Sequence, residues 1–292
     1  MYPENRARGA MLAIAAALMF AAMGATIKTV SAHLPNEMVV FFRNFFGFLA
    51  LLPWLLRGGV KALATQHFGS HLMRSLAGLA AMYCFFYAIA HLHLAAAVLL
   101  NFTAPLFTPF IALLWLREKV GRVLWVAIAV GFAGITLILR PGMGLFSPAT
   151  LIGLASGALA ALAVVNIRRM AETEPTTRIV FYFSTISIVV SALPLLWGWR
   201  TPEPTLWGLL AVAGIFATAG QLLLTRCYAL APAAFIGPFT YSAVVFAALL
   251  GWMLWGEKPD ALTLAGALLV CLAGIMALRR EGMAAAAING SK

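Results

Sequence analysis

Apolar residues run along this chain in stretches of about 20 or more, interrupted by short clusters of charged residues, Pro or Gly. A helix rising about 1.5 Å per residue crosses a hydrocarbon core in roughly 20 residues, so each stretch predicts one membrane-spanning helix. Ten such spans are read, at approximately 10–30, 36–56, 73–90, 94–115, 121–139, 150–168, 178–198, 205–226, 232–254 and 261–278. Two joints between spans are weakly marked, because 76–115 and 207–255 are almost continuously apolar. The first is divided at His91 to His93 and the second between Arg226 and Pro232, where polar or helix-breaking residues sit at the required depth. Residues 1–24 mimic a secretory signal, but the apolar pattern continues to Val30, which predicts an uncleaved first helix.

Composition changes the picture from apolar segments to a protein whose solvent is the bilayer. Of 292 residues, 63% are hydrophobic and 10% charged, too little polar surface to cover a soluble core. The formal charge of +11 does not point to nucleic acid, because the basic residues are scattered at the ends of apolar runs and form no stripe with interleaved aromatics. With the N-terminus cytoplasmic, fifteen of the Lys and Arg residues fall on the inner side and five (Lys28, Arg43, Arg140, Arg200 and Lys258) on the outer side. Losing either weak joint would scramble that bias, so ten spans with both termini cytoplasmic is the consistent topology. Cys84, Cys227 and Cys271 lie in or beside apolar segments, without the spacing of a metal knuckle, and read as small hydrophobes.

The chain also repeats itself. An offset of 140 residues superimposes Ile27 and Lys28 on Ile167 and Arg168, Pro35 on Pro175, and Ala133-Gly134-Ile135 on Ala273-Gly274-Ile275. With small gaps, Tyr87-Ala88-Ile89-Ala90 echoes Tyr228-Ala229-Leu230-Ala231, and Glu118-Lys119 echoes Glu257-Lys258. Five spans per half is an odd number, so the second unit enters the membrane upside down. The expected fold is all-α, with ten transmembrane helices as two inverted repeats, 1–142 and 143–292, in one membrane domain. Such halves can rock about a central site, the geometry of alternating access, although duplication also builds channels and membrane enzymes.

The duplicated five-helix unit, Lys28 and Arg43 on the first two helices, and the Glu-Lys pair before the last helix of each half resemble the drug/metabolite transporter superfamily, in its EamA branch. The resemblance covers essentially the whole chain. It implies ten helices around a central cavity in a bacterial inner membrane and, within the branch, export of aromatic and other amino acids, a related group carrying S-adenosylmethionine. The expected partners are a small-molecule substrate and the lipid bilayer; no cofactor is implied, and the sequence is silent on oligomeric state.

Candidate chemistry is sparse. All nine acidic residues fall in predicted loops, tails or helix ends, which weakens a carboxylate proton relay or a charged sodium site at the midplane. The five histidines are read as peripheral and no nucleophile has a base at recognisable spacing, so no catalytic residue is assigned. His67 and His71 could share a helical face as metal ligands or mark an interfacial segment; no metal site is assigned.

Substrate-binding candidates come from polar and aromatic residues inside the spans. Tyr83 and Tyr87 are one turn apart and could stack on a substrate, with Tyr87 close enough to the interface to be a belt aromatic. Pro105 cannot donate to the Asn101 carbonyl, so that carbonyl and the Asn101 amide present polar groups in the membrane. Its repeat counterpart contains Gly237, Pro238, Tyr241 and Ser242, and Pro105, Gly237 and Pro238 are the candidate hinges. Gln221 and Asn166 are cavity candidates or packing glue. Arg43, about 10 Å deep by helical rise, either attracts a substrate carboxylate or pairs with backbone carbonyls or Glu37. Lys28 is expected to snorkel to the outer interface.

Overall fold

The computed structural model describes residues 6–57, 64–115, 122–139, 147–171, 173–230, 236 and 239–289, all of them helix, turn or connection. The first half forms α1 (Arg6–Ser31), α2 (Asn36–Arg57), α3 (Phe68–His91), α4 (Leu94–Asn101), α5 (Ala104–Trp115) and α6 (Arg122–Leu139). The second forms α7 (Pro148–Ala171), α8 (Thr176–Ala192), the short α9 (Leu195–Gly198), α10 (Pro204–Leu230), α11 (Ser242–Trp255) and α12 (Ala261–Asn289). Among the described residues, Ala7–Ser31, Phe68–His91, Pro148–Ile167 and Pro204–Leu224 are long and apolar enough to cross a membrane. The other apolar helices are shorter.

Two elements differ from the sequence reading in ways that matter for the site. The third span was expected to start near residue 73, but α3 starts at Phe68, so Arg74 stands about 9 Å inside the helix end by helical rise. The fourth span, expected as one span bent at its prolines, is two separate helices. Pro105 has no N–H and its ring crowds the carbonyl four residues back, and α4 ends at Asn101. Phe102 and Thr103 turn the chain, and Pro105 then sits harmlessly in the first turn of α5, where a missing N–H costs nothing.

Packing between the halves recurs with the halves exchanged. The contact of α1 with α10 is matched by α7 with α3, that of α2 with α10 by α8 with α3, and that of α1 with α11 by α7 with α4 and α5. The remaining large contacts, α6 with α12, α4 with α11 and α2 with α8, join equivalent elements to one another. Chain direction is set by two side-chain contacts and a close approach. Lys28, near the end of α1, reaches the carbonyl of Leu92 just beyond α3, so α1 and α3 run the same way. Gly153, early in α7, lies beside Ala88 and Leu100, while Asn166, late in α7, bonds Ser70, so α7 runs opposite to both.

The core lies between the halves: Ile27, Met38, Phe86, Ile89, Leu94, Leu99 and Leu210 are all fully buried in one apolar cluster. With lipid tails as apolar as leucine, close approach of backbones holds such helices together. Gly157 shows this directly, since a Cβ there would stand 2.2 Å from Thr103 Oγ1 and 2.7 Å from the Leu100 carbonyl oxygen. Helix α7 is thereby seated on the break between α4 and α5.

Candidate functional site

A cavity of about 800 Å³, mouth included, opens among α2, α3, α8 and α10. The first half contributes Arg43, Asn44, Gly47, Phe48, Leu51 and Arg74, and the second Val180, Phe183, Ser184, Ala217, Thr218, Gln221 and Leu222. No Asp or Glu is among these lining residues. Arg43 donates from Nη1 to Asn44 Oδ1 at 3.0 Å, but its Nε is shielded from solvent and has no partner. Arg74 lies with its guanidinium carbon 3.7 Å from the centre of the Phe183 ring, and its Nε and Nη1 are likewise unpartnered. Thr218 spends its hydroxyl on the Gly47 carbonyl at 3.1 Å, tying α10 to α2 beneath Arg43.

The α1 C-terminal end of the bundle is fastened by a second constellation. Lys28 Nζ is bonded to Glu257 Oε1 and, at 2.5 Å, to the carbonyl oxygen of Leu92, while Glu257 Oε2 accepts from the Leu94 N–H at 2.7 Å. Lys28 therefore does not simply snorkel to the interface; the local sequence brings a carboxylate to it. Gly256 adopts φ 66°, ψ 19°, a left-handed conformation that closes α11 and donates to the Trp252 carbonyl, and the Glu257 N–H bonds the Gly251 carbonyl at 3.1 Å. That turn folds Glu257 back over Gly251, where a Cβ would sit 2.6 Å from its Oε2. The carboxylate then caps the first turn of α4, whose free N–H groups favour an anion. Helices α1, α4 and α11, drawn from both halves, converge on the Glu257 side chain.

A third cluster occupies the crossing of the broken helix with the second half. Asn101 donates to Ser156 Oγ at 3.2 Å, and the Tyr241 hydroxyl reaches the Phe102 carbonyl oxygen at 3.4 Å with the two rings 5.3 Å apart. The Asn101 side chain is thus met by α7, and the Phe102 carbonyl freed by the break is met by the residue that precedes α11.

At the α1 N-terminal end, Glu174, in the connection from α7 to α8, accepts from Thr65 Oγ1 at 2.7 Å and from Arg178 Nη1 at 2.8 Å, and lies 3.5 Å from His71 Nε2. His71, expected to be peripheral, is fully buried and stacks on Tyr182 at 4.5 Å. Burial pushes the Glu174 carboxyl up, but the hydrogen bonds from Thr65 and Arg178 and the charge of Arg178 outweigh it and hold the carboxyl below its ordinary pKa. A depressed pKa gives stability that is present above the unfolded value and lost as pH falls through the folded one. Glu174→Gln is accordingly expected to destabilise the protein by about 1–3 kcal/mol at pH 7, with the gap to wild type narrowing below about pH 4.5. Thermal unfolding in detergent at pH 7, 5 and 4 checks this; a gap of constant size would show that the carboxylate charge contributes nothing.

The residues singled out from sequence are therefore distributed, not gathered. Arg43 and Gln221 line the cavity, whereas Asn101 and Tyr241 meet at the broken-helix crossing. Tyr83 packs in the apolar core with its hydroxyl unpartnered, and Tyr87 stacks on His91 at 4.0 Å. Asn166 is buried and bonds the Ser70 carbonyl at 3.3 Å, and Ser242 bonds the Phe239 carbonyl at 2.6 Å. Pro105 stands in the first turn of α5, while Gly237 and Pro238 lie outside the described residues. Sequence reasoning missed Arg74, Phe183 and Glu257. One signal was available: Arg43 and Arg74 are each followed four residues later by Gly, one turn on along the same face.

Long apolar helices in two interlocked halves, with buried cations facing a cavity between them, define a multi-pass membrane protein. The sequence profile of the EamA-like transporter family matches residues 7–140 and again 147–279, and the chain belongs to that family. It is a transporter of small molecules, not an enzyme, with a two-repeat architecture. Among its relatives, the pseudopaline exporter of Pseudomonas aeruginosa is 36% identical over 276 residues, 94% of this chain and 96% of that one. The riboflavin transporter of Vibrio cholerae is 29% identical, covering 91% of each chain. The S-adenosylmethionine uptake transporter of Rickettsia bellii is 28% identical, covering 87% of each. A solved crystal structure with 18% identity superposes with a TM-score of 0.64 over 95% of this chain and 99% of that one, which shows the shared fold.

Proposed function

We propose that this protein is a bacterial inner-membrane exporter of amino acids and related small metabolites. It works by alternating access of two inverted five-span repeats, 1–142 and 143–292, with both termini cytoplasmic. The observation that carries the reading is a cationic cavity between the halves, with the Lys28–Glu257 ion pair fastening the halves to each other at the α1 C-terminal end. The opposite course of α7 relative to α1, and the excess of Lys and Arg at the end where α1 begins, support the inverted arrangement and its sidedness. Substrate enters from the cytoplasmic side toward Arg43, Arg74 and Gln221. The break before Pro105 and the region of Gly237 and Pro238 act as hinges, with Asn101, Tyr241 and Ser242 at the crossing that must move. Tyr83 and Tyr87 line the path toward the periplasmic end, and Asn166 holds α7 to α3.

S-adenosylmethionine is the second reading, favoured by the Rickettsia relative. Its sulfonium and ammonium outweigh its single carboxylate and would bring a net positive charge to a cavity that already holds two cations, whereas a neutral amino acid brings none, so amino acids are placed ahead of it. The deciding measurement is uptake by inside-out liposomes containing the purified protein, with radiolabelled aromatic and aliphatic amino acids and with S-adenosylmethionine as competitor. Saturable uptake of amino acids, accelerated by preloading with unlabelled substrate, is expected. Flux that never saturates would indicate a channel, and uptake of S-adenosylmethionine alone would reverse the order of the two readings.

A further inference from the structure

We infer that the cavity is built for a substrate with two carboxylate groups and an apolar portion, held with its carboxylates toward the first half and its apolar part toward the second. This deepens the transport reading by naming the substrate class. Both cations of the cavity come from α2 and α3; Nε of Arg43, and Nε and Nη1 of Arg74, are shielded from solvent and without a hydrogen-bond partner, while Arg43 Nη1 is held by Asn44. No lining carboxylate balances them. A guanidinium at membrane depth is tolerated when it is paired, so neutrality of the occupied cavity calls for two negative charges. The planar fork of each guanidinium matches a carboxylate with two parallel hydrogen bonds, which a lone ammonium at the same place could not make.

The cavity also orients what it holds. At the 140-residue offset, the counterpart of Arg43 is Phe183, so the repeat puts a cation on one wall and a ring on the other. Phe183 lies under Arg74, and Gly78 leaves the room in which that guanidinium rests: a Cβ there would be 2.9 Å from Arg74 Nη1 and 3.1 Å from the Phe183 ring. The arginine head is therefore positioned by a glycine and a ring that impose no competing charge. The wall from α8 and α10 offers Val180, Ala217 and Leu222 to an apolar substituent.

Binding to the full-length protein in phosphatidylcholine nanodiscs tests this with three probes: N-succinylphenylalanine (two carboxylates), N-acetylphenylalanine (one) and phenylalanine (one, with an ammonium). N-succinylphenylalanine is expected to bind at least about tenfold more tightly than either. Arg43→Gln and Arg74→Gln should each erase that preference, with Arg43→Lys and Arg74→Lys retaining part of it. A second readout separates a binding role from a structural one: without ligand, each Gln variant should melt at the same temperature as wild type or higher, because it removes an unpaired buried charge. Equal affinity for the three probes, an undiminished preference in the Gln variants, or no binding of any probe would overturn the proposal. So would loss of the preference in phosphatidylglycerol nanodiscs, which would assign the arginines to a lipid headgroup. Arg-dependent binding of the dicarboxylate without flux in liposomes would leave the clamp standing and sink the transport reading. Flux of phenylalanine with no dicarboxylate preference would do the reverse.

Discussion

Glu257→Gln is expected to open the Lys28 end of the molecule and to slow transport by roughly tenfold or more, since removing one partner of a mostly buried ion pair costs about 3–5 kcal/mol. The side chains of Lys28 and Glu257 are 14% and 10% exposed, and the carboxylate also accepts from the Leu94 N–H. In alternating access this constellation exists only while that end is closed, so its loss weighs on one conformation and shifts the balance between the two. A cysteine at Leu92 should become reactive toward an impermeant thiol reagent in Glu257→Gln vesicles and remain protected in the parent. Exchanging the charges, Lys28→Glu with Glu257→Lys, should restore part of the protection but not all of it, because the Leu94 N–H then lacks its acceptor. Unchanged labelling and transport in Glu257→Gln would show that the ion pair does not hold that end shut.

The second large effect concerns assembly. Gly157→Leu is expected to unseat α7 from the break between α4 and α5, because its Cβ alone would stand 2.2 Å from Thr103 Oγ1. Overpacking a close interface commonly costs about 1–3 kcal/mol, and here backbone atoms of the Leu100–Ala104 segment leave the side chain nowhere to go. The measurement is monodisperse yield and melting temperature in detergent, both expected to fall sharply. Gly208→Ala is the control: nothing lies within 4 Å of its Cβ position, and the substitution should be neutral or slightly stabilising through helix propensity. Equal behaviour of the two variants would mean that α7 is not held by backbone proximity.

Legibility from sequence depended on whether a property was carried by a segment or by a meeting of segments. Helix periods, apolar length and charge asymmetry are properties of a segment, and α1, α2 and α7 were expected within about four residues of their observed bounds. Arg74 was placed at the cytoplasmic edge of the third span because the five residues that extend α3 from Phe68 to Leu72 include the polar Ser70 and His71. Their helix is stabilised by burial of His71 against Tyr182 and Glu174, partners more than 100 residues away. Glu257 could be seen as half of a repeated Glu-Lys pair, but its partner turned out to be Lys28, across 229 residues of chain.

The amino-acid sequence by itself determined that the bilayer is the solvent, that the chain is helical, and that it is made of two related units, because solvation and periodicity are summed along the chain and need no partner. Only the tertiary structure decided which polar residues face a shared space. Arg43 and Gln221 meet at the cavity with Arg74, while Asn101 and Tyr241 are consumed at the helix break and Asn166 in packing. Inside a low-dielectric interior every polar group must find a partner. The rotation and tilt of each helix therefore decide whether it finds one in the protein or is left, like Nε of the two arginines, without one.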